Sequence, residues 1–379
     1  MGEQSSLTRN RPDIALLIVT IILVVIGTVM IYSSSSIIAM EKYGDGYHYI
    51  KKQILFVLIG FGVMTGASRL PYRYWKKAAY PGVLISIALL SLVLIPGFGL
   101  KAGGATRWLR TGYMSFQVSE LVKIMLVIFL SHYFAKKIGH IKEFSRVFVI
   151  PLVIMMAIVG LVLCQPDFGA AVIMVVVFML MLYLAGSRIV YLAGLVAAVI
   201  PVGVVLILHE SYRMQRLMSF LNPWEDPSNT GFQIIQSFIS FGSGGAFGVG
   251  LGNGMQKLFY LPEPHTDFIL SVIAEEGGFV GVVIIIVLFC ILVFRGFAIS
   301  FNCADLFGML LASGLTTVIA LEAFINMAAV MGLLPTKGLV LPFLSYGGTS
   351  LMMCMTAVGI LLNISSCREQ NRGEMEGRS

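Results

Sequence analysis

Asp267 is the acid in this chain best placed for chemistry. It sits in Leu261-Pro262-Glu263-Pro264-His265-Thr266-Asp267-Phe268, which closes a long polar stretch and opens a long apolar one. A carboxylate at that junction meets water, lipid headgroups and hydrocarbon together, so it is suited to act on a substrate carried by a lipid. Partial desolvation raises a carboxylate's pKa and makes it a better base. The complementary cations are Arg107 and Arg110, flanking Trp108, with Arg213, Arg216 and Lys257 further along. Guanidinium forks match phosphate oxygens two at a time. The plainer reading of Trp108 and its arginines is an anchor in the headgroup layer.

Several other polar residues lie within apolar runs, where charge is costly. Glu120 and Lys123 are three apart and share a helix face, either as a packing ion pair or as the charged wall of a cavity. Asp167 follows Pro166 at the start of an apolar run, where it can cap a helix and also position substrate. Glu275, Glu276 and Glu322 have no evident basic complement, and Asn326 lies four residues after Glu322. His265 reads as a hydrogen-bonding or helix-entry residue rather than a metal ligand. Gly242 to Gly254 is glycine-rich, but no strand precedes it, so a nucleotide loop is a poor account. Glycines that let backbone approach a helix or headgroup explain it better. The five cysteines have no metal-ligand spacing, and neither zinc nor a structural disulfide is expected.

The elements that hold these residues must cross a membrane. The chain is 58% hydrophobic and 12% charged, against about 25% charged in soluble domains. Its apolar runs suit ~30 Å of hydrocarbon at roughly 20 residues each. They do not alternate in polarity, which excludes a β-barrel, and open sheets are not tolerated in lipid. The expected fold is therefore all-α and polytopic. About ten helices are predicted, over residues 14–34, 53–67, 78–95, 116–134, 147–164, 168–185, 190–208, 267–294, 306–331 and 345–364. The first run, which Asp13 can cap, is too long for a cleaved leader and reads as a retained helix. Basic residues clustered at helix ends, including Arg69, Arg73, Lys76, Lys77 and Arg295, mark the cytoplasmic side. Both tails, 1–13 and 365–379, are then cytoplasmic around one transmembrane domain, 14–364. The loops bearing Arg107, Asp167, Asp267 and Lys337 face outward together. One outer loop, 210–266, is unusually long, and such loops are normally functional. Its segment 231–241 has the pattern of an amphipathic surface helix. The formal charge of +7 needs no nucleic-acid partner, since retained basic loops account for it.

Ordered motifs along nearly the whole chain resemble the SEDS family (shape, elongation, division and sporulation). They are Gln-Val-Ser-Glu-Leu-Val-Lys at 117–123, Gln-Pro-Asp-Phe-Gly at 165–169 and Asn-Pro-Trp-Glu-Asp-Pro at 222–227. The segment around Asp267, Gly-Leu-Leu-Pro-Thr-Lys-Gly-Leu at 332–339 and Leu-Pro-Phe-Leu-Ser-Tyr-Gly-Gly-Thr-Ser at 341–350 complete the set. Lys337 is more like the FtsW and SpoVE branch, and Val118 stands where the family pattern has proline. The resemblance implies a ten-helix peptidoglycan glycosyltransferase of the bacterial cytoplasmic membrane. Such enzymes polymerise lipid II on the outer face, for division, elongation or sporulation, beside a class B penicillin-binding protein and other divisome or sporulation proteins. It maps the essential loop aspartate onto Asp267 and charged cavity residues onto Glu120, Lys123 and Asp167. Arg107, Arg110, Arg216, His265, Lys337 and Ser345 are the further expected substrate-binding residues. The eighth and ninth helices are the expected partner contact. A diphosphate leaving group needs cations more than an acid, so one carboxylate and a cationic clamp suffice. Asp267 could instead ligate a divalent cation (Mg or Mn) that shares the clamp's task. Two rival functions fit ten charged helices: a lipid II flippase and a non-catalytic division scaffold.

Overall fold

The computed structural model describes residues 12–102, 105–111, 114–140, 148–227, 229, 231–255, 264–336 and 338–367. Among the described residues, ten apolar helices carry the fold. These are α1 (Ile14–Tyr43), α2 (His48–Arg69), α3 (Trp75–Leu94), α4 (Val118–Lys136), α5 (Ile150–Cys164), α6 (Phe168–Leu184) and α7 (Ile189–His209). After an insertion come α10 (Ile269–Phe301), α11 (Leu306–Val330) and α12 (Gly348–Ser366). Eight are long and apolar enough to cross a membrane; α5 and α6, at 15 and 17 residues, are shorter. The chain is a multi-pass membrane protein.

Both terminal caps foreseen from sequence form. Asp13 Oδ1 accepts from Leu16 N at 2.9 Å at the head of α1, and Asp167 Oδ1 accepts from Ala170 N at 3.2 Å at the head of α6. Each satisfies an amide that the helix itself leaves open. Two helices outrun their expected ends by about two turns. α1 continues to Tyr43, and α10 passes through Arg295 to Phe301. Arg295 does not end its helix because its charge is met there: its guanidinium pairs with Asp13, at 3.0 Å from Nε to Oδ2.

The long loop before α10 is partly helical. It holds α8 (Ser211–Leu221), which sequence reading did not foresee, and α9 (Phe232–Gly244), which it did. The polar loop before α4 is likewise built, as a three-stranded antiparallel sheet: β1 (Gly99–Ala102), β2 (Ala105–Thr111) and β3 (Met114–Gln117), in that order. Backbone groups beside a membrane need partners, and the ladder, with Trp108 opposite Gln117 and Leu109 opposite Phe116, supplies them.

α4, α11 and α12 form the centre; about four-fifths of each apolar window is buried, against 6% for α7. α2 packs on α12, α3 on α4, and α9 and α11 on α10. α10 is broken at Gly278, whose φ of 66° and ψ of −166° are open to glycine alone. The freed amides do not go unpaired. Phe279 N donates to Gly245 O (2.9 Å) and Val280 N to Ala246 O (3.1 Å). In return, Val249 N and Gly250 N donate to the carbonyls of Glu275 and Glu276. The glycine-rich segment thus plugs the break as backbone against backbone: a Cβ on Gly248 would lie 2.1 Å from Glu276 O. The carboxylates of Glu275 and Glu276, undecided from sequence, face the same junction. Glu275 Oε1 accepts from Met255 N at 2.8 Å, and Glu276 Oε1 accepts from Ser33 Oγ at 2.7 Å.

Candidate functional site

The turn before α10 delivers Asp267. Three successive carbonyls there are each taken by a donor from elsewhere in the chain. Tyr346 N donates to His265 O (2.8 Å), Ser345 Oγ to Thr266 O (2.6 Å) and Asn326 Nδ2 to Asp267 O (2.9 Å). Ser345 is itself held, its Oγ accepting from Leu341 N at 2.8 Å. It is buried, so the structure gives it a backbone-holding part in the site. The Asp267 side chain is half-buried and faces Gly338, where a Cβ would come within 3.3 Å of Oδ2. Gly338 has φ +64°, so both its conformation and the space beside it call for glycine. A cavity of about 20 Å³ lies between Asp267, Asn326, Thr336 and Leu339.

Thr336 also borders a second cavity, of about 140 Å³, lined by Arg107, Phe168, Tyr212, Arg213 and Arg216. Three of the expected cations, Arg107, Arg213 and Arg216, gather here. Arg107, on β2, donates from Nη2 to Pro166 O (2.5 Å), and its Nε lies 3.9 Å from Asp167 Oδ2. Arg213 donates to Leu206 O near the end of α7 at 2.9 Å, a favourable place for a cation at a helix C-terminus. Its guanidinium lies 5.5 Å from the ring centres of both Phe168 and Tyr212. Arg216 is exposed and donates to Thr336 O at 3.2 Å. A cationic, partly apolar recess therefore opens one residue away from the wall that faces Asp267. Sequence reading placed Arg213 only at the margin of the site, because α8 was not recognised as the helix that turns it inward.

Other expected site residues lie differently. Asp167 is almost wholly enclosed: besides capping α6 it accepts from Ser119 Oγ at 3.2 Å, which ties α6 to α4. Glu120 and Lys123 do pair, at 2.8 Å, and both are buried; their side chains are 6% and 1% exposed. Glu322, which had no evident complement, supplies the second carboxylate to Lys123 from α11. Cys354 Sγ on α12 approaches Glu322 at 3.9 Å. The triad ties α4 to α11, and Cys354 brings α12 against it. Lys337, Lys257 and Glu263 lie outside the described residues, as does the side chain of Arg110.

His265 is buried between the rings of Tyr49 and Tyr346, with centroids 4.5 and 5.6 Å away. Burial, helped by the positive charge of Lys42, pushes its pKa down to about 4, so the ring is neutral at pH 7. It serves as packing for the turn that carries Asp267. Among the described residues no three His, Cys, Asp or Glu side chains gather to hold a metal. In the sequence Asn326 stands out only by its spacing from Glu322, and its part in holding Asp267 depends on a contact 59 residues distant in sequence.

A family described as cell cycle protein, spanning FtsW, RodA and SpoVE, matches residues 14–370. Among curated relatives, the probable peptidoglycan glycosyltransferase FtsW of Geobacter sulfurreducens is 47% identical over 94% of this chain and 96% of its own. Stage V sporulation protein E of Bacillus subtilis is 42% identical over 94% and 98%. Among solved structures, a chain from a peptidoglycan synthase complex, described for its coordination of polymerization and crosslinking, superposes with a TM-score of 0.78. It is 29% identical over 95% of this chain and 99% of that one. The rod shape determining protein RodA of Thermus thermophilus gives a TM-score of 0.69, at 27% identity over 95% and 98%. With the match running through every helix and both cavities, the chain belongs to the FtsW/RodA/SpoVE family of cell cycle proteins.

Proposed function

We propose that this protein is a peptidoglycan glycosyltransferase that polymerises lipid II into glycan strands at the outer face of the bacterial cytoplasmic membrane. The observation that carries the mechanism is the half-buried carboxylate of Asp267, set across Thr336 from a recess lined by three arginines. Transfer of a sugar from a diphosphate needs two things: a base for the acceptor hydroxyl and positive charge for the departing oxygens. Asp267 takes the proton from the hydroxyl, which attacks the anomeric carbon of the donor. The bond to the diphosphate breaks, and Arg107, Arg213 and Arg216 receive the charge that develops on it. The apolar floor of the recess, with Phe168 and Tyr212, suits the first units of a prenyl chain. His265 and Ser345 fix the turn that carries the base, and Asp167 fixes Arg107.

The structural relative drawn from a peptidoglycan synthase complex supports assembly with a second, crosslinking enzyme. We assign that partner to the penicillin-binding class of transpeptidase. The lipid-facing side of α10, with Phe279, Ile284 and Ile291 exposed, offers it an apolar helix to pack against.

The test is polymerisation of lipid II by purified protein in liposomes, with and without the transpeptidase. Asp267→Asn keeps the shape and removes the base. A loss of at least 100-fold in glycan synthesis, with the variant still folded, is the expected result. Near-normal synthesis by Asp267→Asn would remove this carboxylate from the mechanism. Movement of lipid II between leaflets without polymer would assign the chain to transport.

A further inference from the structure

The carbonyl of Asp267 and that of Leu339 belong to two segments that face each other across the small cavity, and one side chain joins them. Asn326 Nδ2 donates to Asp267 O at 2.9 Å and to Leu339 O at 2.5 Å. Both partners are acceptors, so the amide can face them only with its NH2 group. Asn326 is 3% exposed, and it stands on α11 one turn beyond Glu322, the residue that ties α11 to Lys123 on α4. Tyr346 N reaches the 265–267 segment alone, and Ser345 Oγ, which donates to Thr266 O, accepts from Leu341 N, past the cavity wall. Of the three, Asn326 is the one that donates to a carbonyl on each side of the small cavity. The wall opposite Asp267 includes Gly338, where a Cβ would come within 3.3 Å of the Asp267 carboxylate, and Thr336, which borders the arginine recess.

We propose that Asn326 is a positioning residue for the transfer reaction: it sets the separation between Asp267 and the wall of Thr336, Gly338 and Leu339, and so aligns the base with the sugar held beside the arginines. The inference rests on the glycosyltransferase reading for its kinetic consequence, but not for its geometry. The physical reason is that two strands of irregular backbone beside a membrane have no ladder of their own. Their spacing is set by whatever donor bridges them, and a shift of ~1 Å at a reacting group can cost about 100-fold in rate. Asn326 does not touch the reacting atoms; it acts through Asp267.

Asn326→Asp is nearly isosteric but presents oxygen to both carbonyls, and Asn326→Ser keeps one donor on a shorter arm. Both are compared with wild type in the liposome polymerisation assay, after melting in detergent identifies the folded fraction. The expected result is a fall in kcat of about 100-fold for Asn326→Asp, and a smaller fall for Asn326→Ser, with KM for lipid II within about threefold of wild type. A purely structural role would lower the folded fraction and leave kcat per folded molecule unchanged, and that outcome overturns the proposal. A rise in KM alone overturns it as well. A second arm needs no activity. In a background with the five native cysteines replaced, Asp267→Cys is labelled with a water-soluble maleimide, with Asn326 intact or changed to Asp or Ser. A change of at least fivefold in labelling rate is expected. An unchanged rate in both variants refutes the positioning role whatever the kinetics show. If wild type makes no polymer, the glycosyltransferase reading fails, and the labelling arm alone decides whether Asn326 sets the position of residue 267.

Discussion

Lys123→Met removes the cation that Glu120 and Glu322 share. The Lys123 side chain is 1% exposed, and its carboxylate partners are 6% and 3% exposed. At the 2.8 Å separation of Lys123 and Glu120, and an effective dielectric of ~20, the attraction is about 6 kcal/mol for that pair. Desolvation of the three groups offsets much of it. The net loss on stranding buried carboxylates is about 3–5 kcal/mol. Methionine keeps most of the volume, so the loss is electrostatic rather than a cavity. The assay is reversible unfolding of the purified protein from mild detergent by added dodecyl sulfate. The expected result is a loss of about 3–5 kcal/mol for Lys123→Met. The triple change, adding Glu120→Gln and Glu322→Gln, should return most of that, because replacing a whole buried ion set by neutral groups is often close to neutral. If Lys123→Met unfolds within 1 kcal/mol of wild type, or the triple variant is no more stable than the single one, the triad does not hold α4 to α11 in this way. The same triple variant separates packing from catalysis. If it folds and still polymerises lipid II, Glu120 and Lys123 act only as core residues. If it folds and is inactive, they handle substrate despite their burial.

Two further outcomes follow from the geometry. His265 is held neutral, with a folded-state pKa of about 4 against an ordinary ~6.5. The unfolded chain therefore binds a proton that the folded chain does not, and stability should fall by about 3 kcal/mol as pH drops from 6.5 towards 4. No contribution is expected above pH 6.5, and His265→Phe should flatten the slope; an unchanged slope in denaturation measured from pH 7.5 to 4.5 would contradict the burial argument. Gly248→Ala puts a methyl 2.1 Å from Glu276 O, at a residue with φ +79°. Separating the plug from the broken helix should cost at least ~1–3 kcal/mol, read as faster amide exchange at Phe279 and Val280 than at the rest of α10.

Hydropathy alone determined that this is a multi-pass helical membrane protein, because each long apolar run must close its own backbone hydrogen bonds in lipid. Sequence also determined the two aspartate caps and the pairing of Glu120 with Lys123, since caps and i,i+3 pairs are local and need no fold to bring them together. Asp267 was legible as a candidate from its place at a polar–apolar border, and its motif carried the family. Tertiary structure decided what no local pattern holds. It set Glu322 against Lys123 across 199 positions and Asn326 against Asp267 across 59. It turned a polar loop into a sheet, and it broke α10 at Gly278, where amides from a segment some thirty residues earlier in the chain meet the freed carbonyls. The division has one physical cause. Helix propensity and capping act within a turn or two of chain, whereas a buried charge or an open backbone group takes whichever partner the packed bundle brings to it.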